Sequence, residues 1–265
     1  TINTTNNSLN SSSYDYVSWC WIAGTTTGIA GSPTITPTSY SFNQAAGFSI
    51  VAYTANNTSG ATIPHGLGVV PDMAIIKCTS YAENWTVYHT SVGILKDLNL
   101  DVANASATTD NFYDTLPTST LFYMSNGGEV NESTRTYQAY FFKAKQGYSR
   151  MGKYTGNGDA DGPFVFTGFR PAFILIKEID GTNSWFIFDN KRLGYNNKNY
   201  WLQPDNAAVE TLNNNCEILS NGFKFRSTNT GTNADGLDFL YYAIAESPFV
   251  NSEGVPNNAR GAAYT

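Results

Sequence analysis

The stretch Tyr53-Thr54-Ala55-Asn56 returns about a hundred residues later in this chain as Tyr154-Thr155-Gly156-Asn157. Downstream of both stretches a glycine, a proline, a lysine and a tryptophan recur at a constant spacing of 100 residues. The four pairs are Gly68 and Gly168, Pro71 and Pro171, Lys77 and Lys177, and Trp85 and Trp185. Because the spacing holds across a turn and two apolar runs, the pattern indicates that one unit of about a hundred residues is duplicated.

The repeated unit has the composition of β-strands. Hydrophobic residues make up 41% of the 265 positions and charged residues only 14%, and the residues typical of long helices are sparse. Short apolar runs alternate with Gly, Asn, Pro and Ser, a pattern typical of a sandwich or barrel. The expected strands are 50–54, 73–79, 84–89, 98–102, 119–124 and 137–143 in the first copy, and 151–154, 173–179, 184–189, 199–202, 223–227 and 239–245 in the second.

The sequence therefore predicts an all-β chain with two tandem homologous antiparallel β-sandwich units, jelly-roll-like in type, and an extended N-terminal arm. Residues 1–13 are almost entirely Thr, Asn and Ser, so we expect this arm to gain order only by contact with a neighbour. The aromatic run 14–24 predicts a strand. The expected boundaries are 1–46 for the arm and this strand, 47–152 for the first sandwich, 153–250 for the second and 251–265 for a C-terminal tail.

Charge and hydropathy exclude two classes of partner. The net charge is −6, and the 15 basic residues are scattered, whereas nucleic-acid binding needs a concentrated cationic surface. No apolar stretch approaches the roughly 18 residues that span a bilayer. Cys20, Cys78 and Cys216 are too few and too far apart for a zinc site or a disulfide framework. We therefore predict no nucleic acid, no membrane and no cofactor.

The duplication also argues against catalysis. The only histidines, His65 and His89, fall opposite Val165 and Asp189 at the 100-residue spacing, so neither is retained. No Gly-x-Ser-x-Gly nucleophile motif is present. The segment 157–162 resembles half of a calcium loop but lacks its final acid, and a polar turn is the favoured interpretation. We predict no catalytic residue and no metal site, although sequence spacing cannot show whether two carboxylates meet in space.

Aromatic residues leave two interpretations open. Trp85 and Trp185 each precede an alternating apolar run, which favours packing between sheets. The alternative is a sugar-stacking platform on exposed rings, and binding residues concentrate in loops. The loop candidates for glycan or partner contacts are Tyr195, Tyr200, Trp201 and Tyr113.

These motifs together resemble an uncharacterised duplicated β-sandwich domain family common in structural, tail and fibre proteins of tailed bacteriophages, especially marine viruses and cyanophages. The resemblance covers the chain from about residue 14 to the C-terminus and implies no catalytic residue. The motifs lie at Trp21 to Gly24, Gly47 to Asn56, His65 to Asp72, Asn84 to His89, Lys153 to Gly158, Asp161 to Phe164, Thr167 to Ala172 and Phe188 to Arg192.

The resemblance implies a location on the exterior of a virion. We expect a non-enzymatic structural protein of a tail fibre, a tail-associated part or a head decoration, with other virion proteins and copies of itself as partners. The first alternative is a carbohydrate-binding adhesin module that recognises host surface glycans. A polysaccharide depolymerase is the second alternative.

Overall fold

The computed structural model describes residues 11–13, 15–192, 199–213 and 215–248. The only helix among these residues is α1 (Thr230–Asn233), and no helix in this part of the chain is long and apolar enough to cross a membrane. The strands are β1 (Ser39–Asn43), β2 (Phe48–Thr54), β3 (Ala61–Pro64), β4 (Met73–Cys78), β5 (Trp85–His89), β6 (Lys96–Asn99), β7 (Ala107–Thr108), β8 (Leu121–Met124), β9 (Thr136–Phe142), β10 (Ser149–Thr155), β11 (Phe164–Phe166), β12 (Pro171–Glu178), β13 (Phe186–Asp189), β14 (Asn199–Leu202), β15 (Thr211–Asn213), β16 (Cys216–Leu219), β17 (Gly222–Phe225) and β18 (Asp238–Ala245).

Two large antiparallel sheets dominate the structure. The first has the order β1-β2-β9-β4-β5-β6-β7 and the second the order β10-β18-β12-β13-β14-β15. Apart from β1, the two orders correspond strand for strand along the chain. Each large sheet buries one face against a small sheet, β3-β8 in the first half and β11-β17-β16 in the second. The prediction of an all-β sandwich fold is confirmed.

The Tyr-Thr-x-Asn stretch makes the same contacts in both halves. The buried Tyr53 hydroxyl donates a hydrogen bond to the Val130 carbonyl at 2.5 Å, and Tyr154 donates to the Thr232 carbonyl at 2.7 Å. The ring of Tyr154 stacks on Phe239 at 5.2 Å between centroids, and that of Tyr53 stacks on a tyrosine at the same separation. In each half this tyrosine therefore connects a strand of the large sheet, β2 or β10, to the segment that follows β8 or β17 of the small sheet.

A buried asparagine completes this connection. Asn131 and Asn233 are both fully buried, and their side-chain oxygens accept the backbone N–H groups of Asn56 and Asn157 at 3.0 and 2.9 Å. Each amide nitrogen also donates to two backbone carbonyls. A buried amide that is satisfied in this way fixes the loop conformation, because an unpaired one would be costly.

The register corrects one predicted pair. His65 donates its N–H to the carbonyl of Thr120, just before β8, and Thr167 donates to the residue just before β17. Thr167 is thus the counterpart of His65, and Gly168 corresponds to Gly66 rather than to Gly68. The reason is that His65 lies eight residues before Met73, whereas Thr167 lies six residues before Phe173, which has the same ladder position. Gly66 and Gly168 have φ angles of 72° and 85°, a region that favours glycine.

The two halves contact each other through the face of each large sheet that does not pack on a small sheet. We call this contact the seam. Trp185 is fully buried in this seam, and its indole N–H donates to the Asn99 carbonyl of the other half at 2.8 Å. At the rim, Asp180 accepts hydrogen bonds from Lys96 at 3.1 Å and from Ser106 at 2.9 Å. The structure is therefore four layers deep, with small sheets outside and large sheets inside.

The predicted strand at 14–24 is wrong as a sheet strand. Its side chains alternate, with Trp19 and Trp21 packed into the seam and Ile22 74% exposed. However, none of residues 17–24 makes a backbone hydrogen bond within the described part of the chain, and the first bridge joins Thr25 to Phe42. The aromatic alternation reflects burial against side chains, which a pattern of residues cannot distinguish from pairing in a ladder.

Six short strands were not predicted. The polar segment at 28–43, in which Pro33 and Pro37 indicate loops or a sheet edge, contains the edge strand β1. The strands β3, β7, β11, β15 and β16 lie in stretches without a clear alternating signal. All six have five residues or fewer. Strands this short contain too few residues for periodicity to identify, so only pairing with a neighbour reveals them.

Replacement of Trp185 by alanine should lower the free energy of unfolding by about 3 to 5 kcal/mol, because it leaves a cavity and an unpaired carbonyl in the seam. Urea unfolding followed by circular dichroism measures this loss. The matched control is Trp85→Ala, since that ring is half-buried and should cost less than half as much. Equal losses in the two variants would contradict the role assigned to Trp185.

Candidate functional site

The side chain of His65 contacts backbone groups through both ring nitrogens. It is fully buried, its Nδ1 accepts the Leu67 N–H at 3.3 Å, and its Nε2 lies 3.1 Å from the Thr118 carbonyl oxygen. In the second half the hydroxyl of Thr167 accepts the N–H of Phe169 at 3.4 Å, two residues further on as well. A threonine thus performs the local task of the histidine.

The second histidine behaves in the same way. His89 ends β5, and its Nδ1 accepts the Ser91 N–H at 3.0 Å. Asp189 occupies the same ladder position in β13, and its carboxylate accepts the Lys191 N–H at 2.9 Å. Two unrelated side chains therefore hold the same turn, so the position requires an acceptor and not an imidazole.

Burial keeps both rings neutral. It lowers the pKa of His65 to about 4 against the opposing hydrogen bond of the Thr118 carbonyl. It lowers the pKa of His89 to about 4 as well, although the charge of Asp72 opposes the shift. At neutral pH neither ring is an imidazolium that could donate a proton to a substrate.

Two carboxylates do meet in space, which sequence spacing could not show. Asp97 is 3% exposed, and burial raises its pKa although Asn111 and Thr109 donate hydrogen bonds to it at 2.6 and 2.7 Å. Asn111 also donates to Glu129 at 2.9 Å. The other donors to Glu129 are Asn84 at 3.1 Å, Thr86 at 3.1 Å and Asn99 at 3.3 Å. These bonds occupy the carboxylates with protein donors and tie β5 and β6 to the loop after β8.

The shared lysines close hairpin turns. Lys177 is fully buried, and its ammonium donates to the carbonyls of Glu178 and Gly181, both at 2.8 Å. Burial lowers its pKa to about 8. Lys77 donates in the same manner to the Glu83 carbonyl in the first half. The two lysines therefore have the same structural role, since each holds a hairpin turn through backbone carbonyls.

The segment 157–162 is a turn held by its own polar groups. The Asp159 N–H is bonded to Asn157, and Asp161 forms ion pairs with Lys224 and Arg226, both at 3.0 Å. Among the residues that the structure describes, no three His, Cys, Asp or Glu side chains form a group that could hold a metal ion.

The four loop aromatics differ widely in exposure. Tyr195 lies outside the described residues, and Tyr200 is half-buried. Trp201 is only 9% exposed, and its ring packs edge-on against Phe186 at 4.9 Å in the second core. The expectation that Trp201 contacts a glycan is corrected, because its faces are covered. Tyr113 is 44% exposed and has a φ of 53°, which is unusual for a residue other than glycine.

An apolar cavity of about 470 Å³ lies between the large sheets, beside the segment at 17–24. Trp85, whose ring stacks on Tyr140 at 6.3 Å between centroids, lies at this cavity. Its walls come from both halves and from the N-terminal segment, so no local motif could have revealed it. The cavity can accommodate an apolar group. The ionisable side chains in its described walls are the phenols of Tyr140 and Tyr242, and burial raises the pKa of both. The walls of the cavity include Trp19, Trp21, Met73, Phe173, Leu175 and Tyr242.

The buried histidines predict a loss of stability in acid. Their folded pKa values lie below the ordinary value of 6.5, so the unfolded chain binds more protons as the pH falls from 6.5 towards 4. Each histidine should therefore reduce the free energy of unfolding by about 2 kcal/mol at pH 5 relative to pH 8. Urea unfolding at the two pH values measures the difference.

The control replaces His65 by threonine, the residue at the equivalent position. The variant should fold at pH 8 and lose about half of the histidine contribution to the pH dependence. An unchanged pH dependence in His65→Thr would show that this ring does not titrate on unfolding.

The match to known families covers most of the chain. A family model described as a domain of unknown function, DUF7483, matches residues 1–248. No curated protein and no solved structure gives a significant match. The description of this family names no activity for the fold. The chain belongs to the DUF7483 domain family.

Proposed function

We propose that this protein is a non-enzymatic structural component of the exterior of a tailed-phage virion, a tail fibre, tail-associated or head decoration part that acts through contacts with other protein subunits. One observation carries the non-enzymatic part of the proposal. The local tasks of His65 and His89 are performed in the second half by Thr167 and Asp189. Residues whose role can be taken by a different functional group are framework residues.

The other polar groups support the same conclusion. The Asp97 and Glu129 carboxylates accept hydrogen bonds from protein donors, and the Lys177 ammonium is engaged by two carbonyls. General acid–base catalysis needs a group that can reach a substrate proton. Here these groups connect strands to loops. They therefore hold the rigid framework that a protein acting through subunit contacts needs.

The resemblance of the motifs to phage structural proteins supports the virion location. The low charged fraction suits a protein that associates with neighbouring subunits, and so does the extended segment at 17–24, whose backbone has no partner in the part of the chain that the structure describes. Its partners would be other virion proteins and further copies of the chain.

A second candidate function is recognition of host surface glycans. Tyr113 supports it, because its ring is exposed in a loop where Tyr113 and Asp114 have consecutive φ angles of 53° and 43°. Such backbone strain clusters at binding sites. An exposed tyrosine ring offers an apolar face on which a sugar ring can stack.

Antibodies against the purified protein should label the outside of intact phage particles in negative-stain electron microscopy, since the proposed protein is an exterior component. Quantitative mass spectrometry of the same particles gives the copy number and separates tail from head. Absence from purified particles would overturn the virion proposal. Release of reducing ends from host capsular polysaccharide would overturn its non-enzymatic part.

A glycan array probed with the purified protein should give signals that Tyr113→Ala reduces at least tenfold, if the adhesin function holds. Tyr81→Ala is the control for an exposed tyrosine without the left-handed backbone of Tyr113. Tyr81 is 63% exposed, and each ring has one side against protein, Tyr81 against Arg135 at 4.1 Å and Tyr113 against Gly60. A silent array, or equal losses in both variants, would remove the glycan function and leave the structural one.

A further inference from the structure

The outer edge of β11 has no neighbour among the described residues. On its inner side, the Pro163 carbonyl accepts the Phe225 N–H at 3.3 Å and the Thr167 N–H donates to Asn221 at 3.0 Å. Backbone groups alternate in direction along a strand, so those of Phe164 and Phe166 face away from β17. Their side chains are 44% and 52% exposed. The edge thus combines unpaired backbone groups with exposed apolar rings.

The equivalent edge of the first half is covered. Thr62 of β3 occupies the position of Phe164, since His65 and Thr167 occupy equivalent positions three residues further on. The Thr62 carbonyl accepts the Ile35 N–H at 3.0 Å, and the Thr62 N–H donates to the Thr34 hydroxyl at 2.7 Å. A loop at 34–35, which forms bends and adds no strand, therefore covers the outer edge of β3 at Thr62, and no described segment covers the outer edge of β11.

The same chain carries an extended segment that lacks a partner strand. Residues 17–24 make no backbone hydrogen bond within the described ranges, and Cys20 and Ile22 are exposed. The run is rich in aromatic and β-branched residues, which suit a strand. An open edge and an unpaired extended segment are complementary, because each supplies the donors and acceptors that the other needs.

A single copy cannot join these two features. Trp21 packs edge-on against Phe173 at 5.9 Å and donates a hydrogen bond to Tyr242, which fixes the segment in the seam between the large sheets. The β11 sheet packs on the opposite face of the second large sheet. The thickness of that sheet separates the segment from the edge of its own chain.

We propose that the open edge of β11 takes residues 17–24 of a second copy as an added strand. This inference rests on the proposed assembly function and names its partner and its site. Main-chain hydrogen bonds supply the affinity in strand addition, and here Phe164 and Phe166 would pack beside the incoming strand. Because the two surfaces differ, the contact is head-to-tail and propagates into a ring or an open chain of copies.

Proline substitutions test the backbone contact. Phe166→Pro and Ile22→Pro each remove one N–H that makes no hydrogen bond within the described residues, and Phe166→Ala and Ile22→Ala are matched controls that keep it. Analytical ultracentrifugation of the full chain, under reducing conditions because Cys20 is exposed, should show a mass that rises with concentration. Each proline variant should weaken association at least tenfold relative to its alanine control.

A mixture of the two proline variants gives the sharpest result. Each retains the surface that the other has lost, so an equimolar mixture should form a one-to-one dimer and nothing larger. Urea midpoints show whether each variant is folded, and Ile22→Pro, at a 74% exposed position, remains informative if Phe166→Pro unfolds.

Three outcomes would overturn this inference: a wild-type protein that stays monomeric, proline variants that associate like their alanine controls, or a mixture without the dimer. Particle labelling is independent of all three. A protein that is found on virions and yet does not self-associate would keep the proposed function and lose only this inference.

Discussion

The face-to-face packing of the two large sheets is the constraint on which the remaining structure depends. Both sheets have two apolar faces, one for a small sheet and one for the other half, so neither half can expose its seam to water without a large cost. Trp185 restricts the relative orientation of the two sheets, because its indole N–H must reach the Asn99 carbonyl to form its hydrogen bond. The seam therefore fixes how the two halves are oriented, and it also positions the N-terminal segment.

The two halves share a set of buried polar contacts. Contacts that occur in both halves, such as those of Tyr53 and Tyr154 or of Asn131 and Asn233, lie at the ends of the sandwiches and connect strands to loops. They satisfy buried polar groups with the same tyrosine and asparagine side chains in each half, whereas each histidine occurs in one half only. The chemistry of these groups is used for folding.

The differences between the halves lie at the edges. In the first half a loop at 34–35 covers the edge of β3 at Thr62, whereas Phe164 and Phe166 lie on a strand whose outer edge has no neighbour among the described residues. Natural sheets protect their open edges against association. The β11 edge is short, but its outward backbone groups have no partner among the described residues, and the backbone of residues 17–24 has none there either; the proposed association rests on these two observations.

The sequence by itself determined the all-β fold class and most of the longer strands, because apolar alternation and turn residues are local signals. Only the tertiary structure decided that the aromatic run at 17–24 forms no ladder with any described residue, that Trp201 is buried and that Asp97 and Glu129 share Asn111. The structure also decided that Gly168 occupies the position equivalent to Gly66. The physical reason is that burial, register and charge proximity depend on residues distant in sequence, which no local pattern contains.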